Sequence, residues 1–361
     1  MKERALAILA CPTCGGQLHC EVFAGDHEIR DGLLSCLRCA AVYPVIGSVP
    51  RMVPPSFFPA QAVAFHRRFA DRLPALLWPG QASPTADPKI TTAASFGFEW
   101  RQFSRFGWDD PTFHRERESR TFLRKSLLRP EELAGRLVLD AGCGNGRYTY
   151  QAARHGAEVV GMDLSVGVDA AQENTEGHPG IHIIQGDIFR PPLRPETFDA
   201  IFSIGVLMHT GDPAGGIKAL TACLAPRGSL TVHLYHRGNP VYETIDRLLR
   251  QWTTRLPRER LLSLSERTAR VARLLERLKL LRLLNQLIRL EAHPHCVFDW
   301  YSAPVATHHT YPEVRRWLLE AGLVPVADRQ KGGRLRRSLV PPKALTVRAC
   351  KADDPAARPP A

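Results

Sequence analysis

The sequence predicts an α/β chain: a largely parallel sheet with helices on both faces, a small metal-bound module at the N-terminus and a helical insertion towards the C-terminus. Three observations lead there. Two Cys-x-x-Cys pairs stand 21 residues apart near the start; short apolar runs alternate with helical segments from residue 136; and "VLDAGCGNG", residues 138–146, puts three glycines on alternate positions directly after a strand that ends in an aspartate.

At 361 residues the chain has room for two domains, or for one large domain with an appendage. Its hydrophobic share of 44% is ordinary, and no run approaches the roughly 18 apolar residues of a membrane span. The opening "MKERALAILACP" has a basic start and a cysteine, but its apolar core is shorter than the ~7 residues a secretory signal needs, so a cytoplasmic chain is expected. The formal net charge of +12 comes from 48 Lys/Arg against 36 Asp/Glu and is unevenly placed. Residues 1–53 hold five of each sign, residues 237–290 hold thirteen basic and five acidic, and "RQKGGRLRR" follows at 329–337. A polyanion is therefore expected to meet the second domain rather than the first.

Cys11 and Cys14 in "CPTCGG", and Cys36 and Cys39 in "CLRC", have the spacing at which two thiolates from one tight turn bind tetrahedral zinc, with Gly15 and Gly16 supplying permissive backbone. A redox motif would not come doubled, and disulfides do not suit a cytoplasmic chain. Residues 1–53 are expected to be a zinc ribbon with a structural Zn2+, since four cysteines leave the metal no open position; Cys20 is a neighbour. "LACPTCGGQL", "CLRC" and "YPVIGSVP" resemble the small zinc-ribbon activator protein that partners several RNA and protein methyltransferases. The resemblance implies a ribbon fused to its enzyme and able to meet a protein partner. Residues 54–95, rich in Pro, Ser and Thr, read as a linker with one short helix around "AVAFHRRFADRL".

From residue 136, "RLVLDAG", "AEVVGMDLS", "IHIIQGDI", "FDAIFSIGVL" and "SLTVHLY" read as strands, and "RYTYQAARHG", "VGVDAAQENTEG" and "AGGIKALTACLAPRG" as the helices between them. Such a βαβ series binds ligands at the carboxyl ends of its strands. Gly142, Gly144 and Gly146 give G-x-G-x-G rather than the dinucleotide spacing, and the neighbouring Asp140 opposes a pyrophosphate but suits a cofactor with an ammonium group. Asp163 ends the next strand, where a carboxylate accepts hydrogen bonds from ribose hydroxyls, and Asp187 ends the third, where it can meet an adenine amino group. Three aspartates at three consecutive strand ends fit S-adenosyl-L-methionine.

With these residues the chain resembles the class I S-adenosylmethionine-dependent methyltransferases over roughly residues 96–350. The resemblance implies a Rossmann-like sheet, mostly parallel with a terminal antiparallel strand. It implies that Asp140, Gly142, Gly144 and Gly146 surround the methionine part, that Asp163 binds ribose and that Asp187 with Ile188 frames adenine. "FDAIFSIGVLMHT" is similar to the family's fourth strand and following loop, and "YPEVRRWLLEAGL", "VPVADRQ" and "ALTVRACK" supply the last helix and closing hairpin. The competing reading is another Rossmann-like nucleotide protein in which Asp163 and Asp187 cap helices.

Methyl transfer needs a nucleophile held near the methyl carbon, with a base only where the nucleophile carries a proton of high pKa. His209 in "LMHT", after the fourth strand, is the candidate catalytic or positioning residue, while His233 reads as a core histidine. "SIGV" stands where exocyclic-nitrogen methyltransferases resemble one another in an Asn/Asp-Pro-Pro-aromatic tetrad, and Cys223 in "TACLAP" is not a Pro-Cys pair, which lowers the nucleic-acid reading. An insertion at about 237–305 carries Val271, Leu274, Leu278, Leu281, Leu284 and Ile288 at intervals of three and four, with Arg267, Arg270, Arg273 and Arg277 elsewhere. It is expected to be a helical cap packed on the sheet by that apolar face; a lid over a greasy substrate, or a peripheral membrane or RNA surface, is the functional alternative.

"DWYSAPVATHHTYPEV" resembles the segment before the last helix in methyltransferases of small-molecule and lipid-like acceptors, implying acceptor contacts at Asp299, Trp300, Tyr301, His308 and His309. His293, His295 and Cys296 have only a weak metal spacing, and "SFGFEWRQFSRFGW" reads as core or pocket wall. Residues 351–361 look disordered. The favoured expectation is methyl transfer to a small-molecule or lipid-like acceptor; the alternatives are an RNA methyltransferase and a non-catalytic, cofactor-binding partner of another methyltransferase.

Overall fold

A computed structural model describes residues 1–73, 87–108, 115–238, 240–285, 287–328 and 344–352. The N-terminal module opens with a single turn of helix, α1 (Glu3–Leu6), and continues as an antiparallel sheet of β1 (Leu18–Ala24), β2 (Asp31–Cys36), β3 (Val42–Ile46) and β4 (Val49–Pro50), paired in that order. Gly47 and Ser48 both take positive φ between β3 and β4, the backbone of a two-residue hairpin whose twist matches its strands. Leu34 and Val45 fill the module's core.

Three helices follow: α2 (Pro59–Phe69), α3 (Pro88–Gln102) and α4 (Arg115–Ser126). The start of α3 lies inside the stretch expected to be linker. Asp87 caps it by accepting a hydrogen bond from the Lys89 amide at 2.8 Å, and Pro88 sits at the first helical position, where its missing N–H costs nothing.

The main sheet comprises β5 (Leu137–Ala141), β6 (Glu158–Asp163), β7 (Ile181–Gln185), β8 (Phe198–Ile204), β9 (Leu224–Tyr235), β10 (Leu323–Asp328) and β11 (Ala344–Lys351) in the order β10-β11-β9-β8-β5-β6-β7. Six strands run in one direction, and β11, antiparallel to both β9 and β10, runs opposite. The helices α5 (Arg147–Arg154), α6 (Gly167–Thr175) and α7 (Pro213–Ala222) make the crossovers. Val138, Leu139, Val160, Phe202 and Val232 are fully enclosed, as expected for parallel strands covered on both faces. β9 starts earlier than the sequence suggested: "LAPRG" is strand, not the end of a helix, because Pro226 lacks the N–H a helix would need.

Between β9 and β10 lie α8 (Pro240–Thr253), α9 (Arg258–Arg277), α10 (Leu281–Leu284), α11 (Pro294–Ser302) and α12 (Tyr311–Glu320), with α8 and α9 both resting on α11. The expected inward apolar face of α9 is not what packs. Val271, Leu274 and Leu278 are 54%, 56% and 58% exposed, and the helix instead buries Leu261, Ser265, Ala269 and Ala272. Small side chains at the contact let two helix axes approach closely, which large leucines there would prevent.

The ribbon closes the free edge of the sheet. Arg51 forms a parallel bridge with Gln185, and the Met52 amide donates to the Gln185 carbonyl at 2.9 Å, so the chain after β4 runs along β7. The buried Arg51 guanidinium donates to Gln185 Oε1 at 3.1 Å and to Asp169 of α6, with the Phe58 ring 5.9 Å away. A second clamp joins Ala10 N–H to the Pro192 carbonyl at 3.0 Å and Arg194 N–H to the Ile8 carbonyl at 2.9 Å. The basic run at 329–337 and the tail from 353 lie outside the described residues.

Candidate active site

After β5 the backbone turns through Gly142, Gly144 and Gly146, all at positive φ. A Cβ on Gly142 would lie 2.2 Å from Val206, and one on Gly144 2.6 Å from the Trp100 ring, so the turn is pressed against the loop after β8 and against α3. Asp163 ties this turn to the next. Its Oδ2 accepts from the Gly144 amide at 3.0 Å, and its Oδ1 from the Ser165 amide and hydroxyl, both at 2.8 Å. Asp187 accepts from the Phe189 amide at 2.9 Å and pairs with Lys89 Nζ, also at 2.9 Å, from the first turn of α3.

These groups line a cavity walled by Phe96, Trp100, Ile188, Phe189 and Val206. Asp140 does not reach it. That carboxyl lies buried beneath the glycine turn, accepts from Thr149 Oγ1 at 2.7 Å, and is pushed up to about 7 by burial. Acceptor-only carboxylates at Asp163 and Asp187 match ribose hydroxyls and an adenine amino group, and the apolar walls match the ring and the thioether chain, so the cavity fits S-adenosyl-L-methionine.

β8 delivers the other side. Gly205 adopts φ +79, with nothing within 4 Å of where a Cβ would stand, and the turn Leu207–His209 follows. His209 lines the cavity. Its Nδ1 lies 2.7 Å from the Val305 carbonyl, an acceptor only, so Nδ1 carries the hydrogen and Nε2 keeps its lone pair; among the described residues Nε2 has no partner. Burial pulls the imidazole pKa down to about 4, so the ring is neutral at pH 7.

Asp299, on α11, lines the same cavity 3.5 Å from the Tyr235 hydroxyl, and desolvation raises its pKa. The other expected acceptor residues hold the cap together instead. Trp300 Nε1 donates to Asp246 at 2.6 Å, Tyr301 donates to the Arg289 carbonyl at 3.1 Å, His308 Nδ1 meets Glu243 at 2.6 Å and His309 Nε2 meets Thr307 at 2.7 Å; none of the four lines the cavity. His233 is buried, 2.7 Å from the Thr346 hydroxyl.

A second cleft shares Trp100, Ile204, Gly205 and Asp299 with the first. Its walls carry Arg120, Arg124, Lys125, Arg147 and Arg289, against Glu118 and Asp299 as the lining acids. Lys125 Nζ donates to the Tyr148 hydroxyl at 3.0 Å, and the Arg147 guanidinium lies over the Phe106 and Tyr148 rings at 4.8 and 4.5 Å. Behind Trp100, Glu99 is wholly buried and its pKa is raised well above the usual carboxylate range by desolvation. His295 Nε2 stands 2.8 Å from it, out of hydrogen-bond alignment, and is held neutral by burial. No motif marks these cations or Glu99; only the helical spacing of Arg117, Arg120 and Arg124 hinted at one basic face on α4.

In the ribbon, the sulfurs of Cys11, Cys14, Cys36 and Cys39 all lie within 4.8 Å of one another, with Cys11 to Cys39 at 3.7 Å and Cys14 to Cys36 at 3.5 Å. Ligands ~2.3 Å from a tetrahedral zinc stand roughly 3.8 Å apart, so the set fits Zn2+. A Cβ on Gly16 would sit 2.9 Å from Cys36 Sγ, which is why the knuckle takes glycine there. Among the described residues this is the one metal-compatible group; His293, His295 and Cys296 do not form another.

Residues 139–232 match the family model described as a methyltransferase domain, and residues 2–48 the one described as Trm112p-like protein. The chain joins a Trm112p-like domain to a methyltransferase domain. The methyltransferase domain's seven-stranded sheet has the class I arrangement. The tRNA U34 carboxymethyltransferase of Geobacter sp. (strain M21) is 38% identical over 104 residues, 28% of this chain and 32% of that protein. The protein of the same name from Desulfotalea psychrophila (strain LSv54 / DSM 12343) is 30% identical over 156 residues, 42% and 48% of the two chains. The chain thus spans about a third to a half of the length of these curated relatives. Among solved structures, magnesium protoporphyrin IX methyltransferase from Synechocystis PCC 6803 is similar at 18% identity and TM-score 0.44, over 74% of this chain and all of that one.

Proposed function

We propose that the chain is an S-adenosyl-L-methionine-dependent methyltransferase whose acceptor is RNA. The cationic cleft that opens onto the donor cavity at Trp100, Gly205 and Asp299 carries the acceptor reading. Sequence alone ranks a small-molecule or lipid-like acceptor first and RNA second. The cleft, together with relatives named for tRNA U34, reverses that order. Arg120, Arg124 and Lys125 meet phosphates, which sets affinity and register, while the Trp100 ring, which lines both cavity and cleft, offers a stacking face to an unpaired base.

When bound, the donor supplies an electrophilic carbon on a sulfonium. Asp163 and Asp187 orient it through its hydroxyls and amino group, and Phe96, Val206 and Trp100 exclude water. His209 presents Nε2 as the proton acceptor for an acceptor hydroxyl or N–H, its ring held by Val305. Asp299 faces both cavity and cleft, where it accepts from a polar edge of the base. The ribbon's role is to hold the edge of β7, whose following residues include Asp187.

The test is transfer from donor labelled at the sulfonium carbon into a bacterial lysate, separated into RNA, protein and organic extract. Label in RNA that disappears with Asp163→Ala is the expected result. Label confined to the organic extract overturns the RNA reading and restores the lipid-like one.

A further inference from the structure

Two helices of the cap are turned inside out. On α8 the inward residues are polar: Asp246 accepts from Trp300 Nε1 at 2.6 Å, Arg250 donates to the carbonyls of Trp300 and Ala303, and Thr253 Oγ1 donates to the Tyr301 carbonyl at 2.9 Å. These bonds fix the helix's rotation, and the face they leave outside is apolar: Val241, Leu248 and Trp252, at spacings of seven and four, are more than half exposed. On α9 the inward side is Leu261, Ser265, Ala269 and Ala272, and Val271, Leu274 and Leu278 form one outward stripe that Leu280, Leu283 and Leu287 prolong. Both helices rest on α11, so both stripes face away from it.

Cations surround the leucines. Arg267, Arg270 and Arg277 lie on the outer half of α9, Arg273 at its edge donates to the Ala292 carbonyl at 2.8 Å, Lys279 stands just beyond, and all five are exposed. Exposed large apolar side chains repeated at helical spacing on both helices mark a contact surface rather than a solvated one. Its occupant must satisfy leucines and arginines together. A second copy would bring arginine against arginine; RNA would leave the leucines without a partner. A bilayer with anionic headgroups meets both demands, the side chains of Leu274, Leu278 and Trp252 entering the interface while the arginines reach headgroup phosphates. We infer that α8 and α9 dock the protein on an anionic lipid surface. No helix among the described residues is long and apolar enough to cross a membrane, so the contact is peripheral. The surface is separate from the cationic cleft, and the inference does not depend on the acceptor.

The test is co-sedimentation of the full chain with phosphatidylglycerol/phosphatidylcholine vesicles and with phosphatidylcholine alone. Binding to the anionic vesicles that weakens with salt is expected, reduced at least tenfold in Leu274→Glu/Leu278→Glu. In Arg270→Glu/Arg273→Glu/Arg277→Glu the expected loss is at least about a hundredfold, about fivefold for each basic side chain removed with repulsion from the added carboxylates on top. Zinc content and donor affinity report on folding; if the leucine variant fails them, Trp252→Ser replaces it. Absence of vesicle binding overturns the inference. So does a dimer dissolved by Leu274→Glu/Leu278→Glu, or RNA binding that the triple-arginine variant abolishes while vesicle binding is unchanged.

Discussion

His209 draws its proposed role from one hydrogen bond and one missing one: Val305 holds Nδ1–H, and Nε2, on a ring that lines the donor cavity, is buried without a partner among the described residues. Because burial lowers its pKa from an ordinary ~6.5 to about 4, the imidazole accepts protons throughout the neutral range. The transfer rate is therefore expected to hold as pH falls from 8 to about 5 and to fall as the ring protonates near 4. The same depression means that stability is fully present above ~6.5 and is progressively lost as pH falls from there through 4. His209→Asn should lower the rate by roughly 10²–10⁴ at unchanged donor affinity, measured by single-turnover transfer and calorimetry. An unchanged rate would make His209 a packing residue. Asp163 and Asp187 were legible because strand ends follow from topology alone. Glu99, Arg147 and His295 were not, since each acquires its meaning from segments far along the chain, and the same reason turned Trp300 and His308 into cap ties.

At the scale of elements, the glycine turn shows why residue type can be read before its partner is known. The alternate glycines announced a tight turn, but the Trp100 ring that forbids a Cβ at Gly144 lies on a helix 44 residues earlier in the chain. Gly144→Ala combines that clash with a left-handed φ of +54, so donor binding should weaken at least tenfold and the melting temperature should drop; calorimetry and thermal denaturation report both. Normal donor affinity in a folded variant would contradict the cavity assignment. The helix α9 teaches the opposite lesson. Periodicity correctly gives one apolar stripe, yet it carries no sign for inside or outside, and the small residues Ser265, Ala269 and Ala272 decide which face packs.

For the whole molecule, the Cys-x-x-Cys pairs announced the ribbon, while its docking had no motif, because Arg51 is an ordinary residue until β7 offers Gln185 beside Asp169. That docking is the ground for expecting metal and donor site to be coupled: Gln185, which pairs with the ribbon, is two residues from Asp187. Removing zinc with a chelator, or Cys36→Ser/Cys39→Ser, should lower the melting temperature and weaken donor binding severalfold, since ribbon folding energy comes largely from the metal. Donor affinity that ignores zinc would show the ribbon to be an independent appendage. The central claim remains that a class I donor cavity opens into an RNA-binding cleft. It is tested most directly by transfer of labelled methyl groups into RNA at increasing salt, comparing the natural chain with Arg120→Glu/Arg124→Glu. The account predicts that label enters RNA, that the variant loses most of it at unchanged donor affinity, and that the dependence of RNA binding on salt becomes shallower. RNA labelling indifferent to both salt and the arginines, or label found only in small molecules, would contradict it.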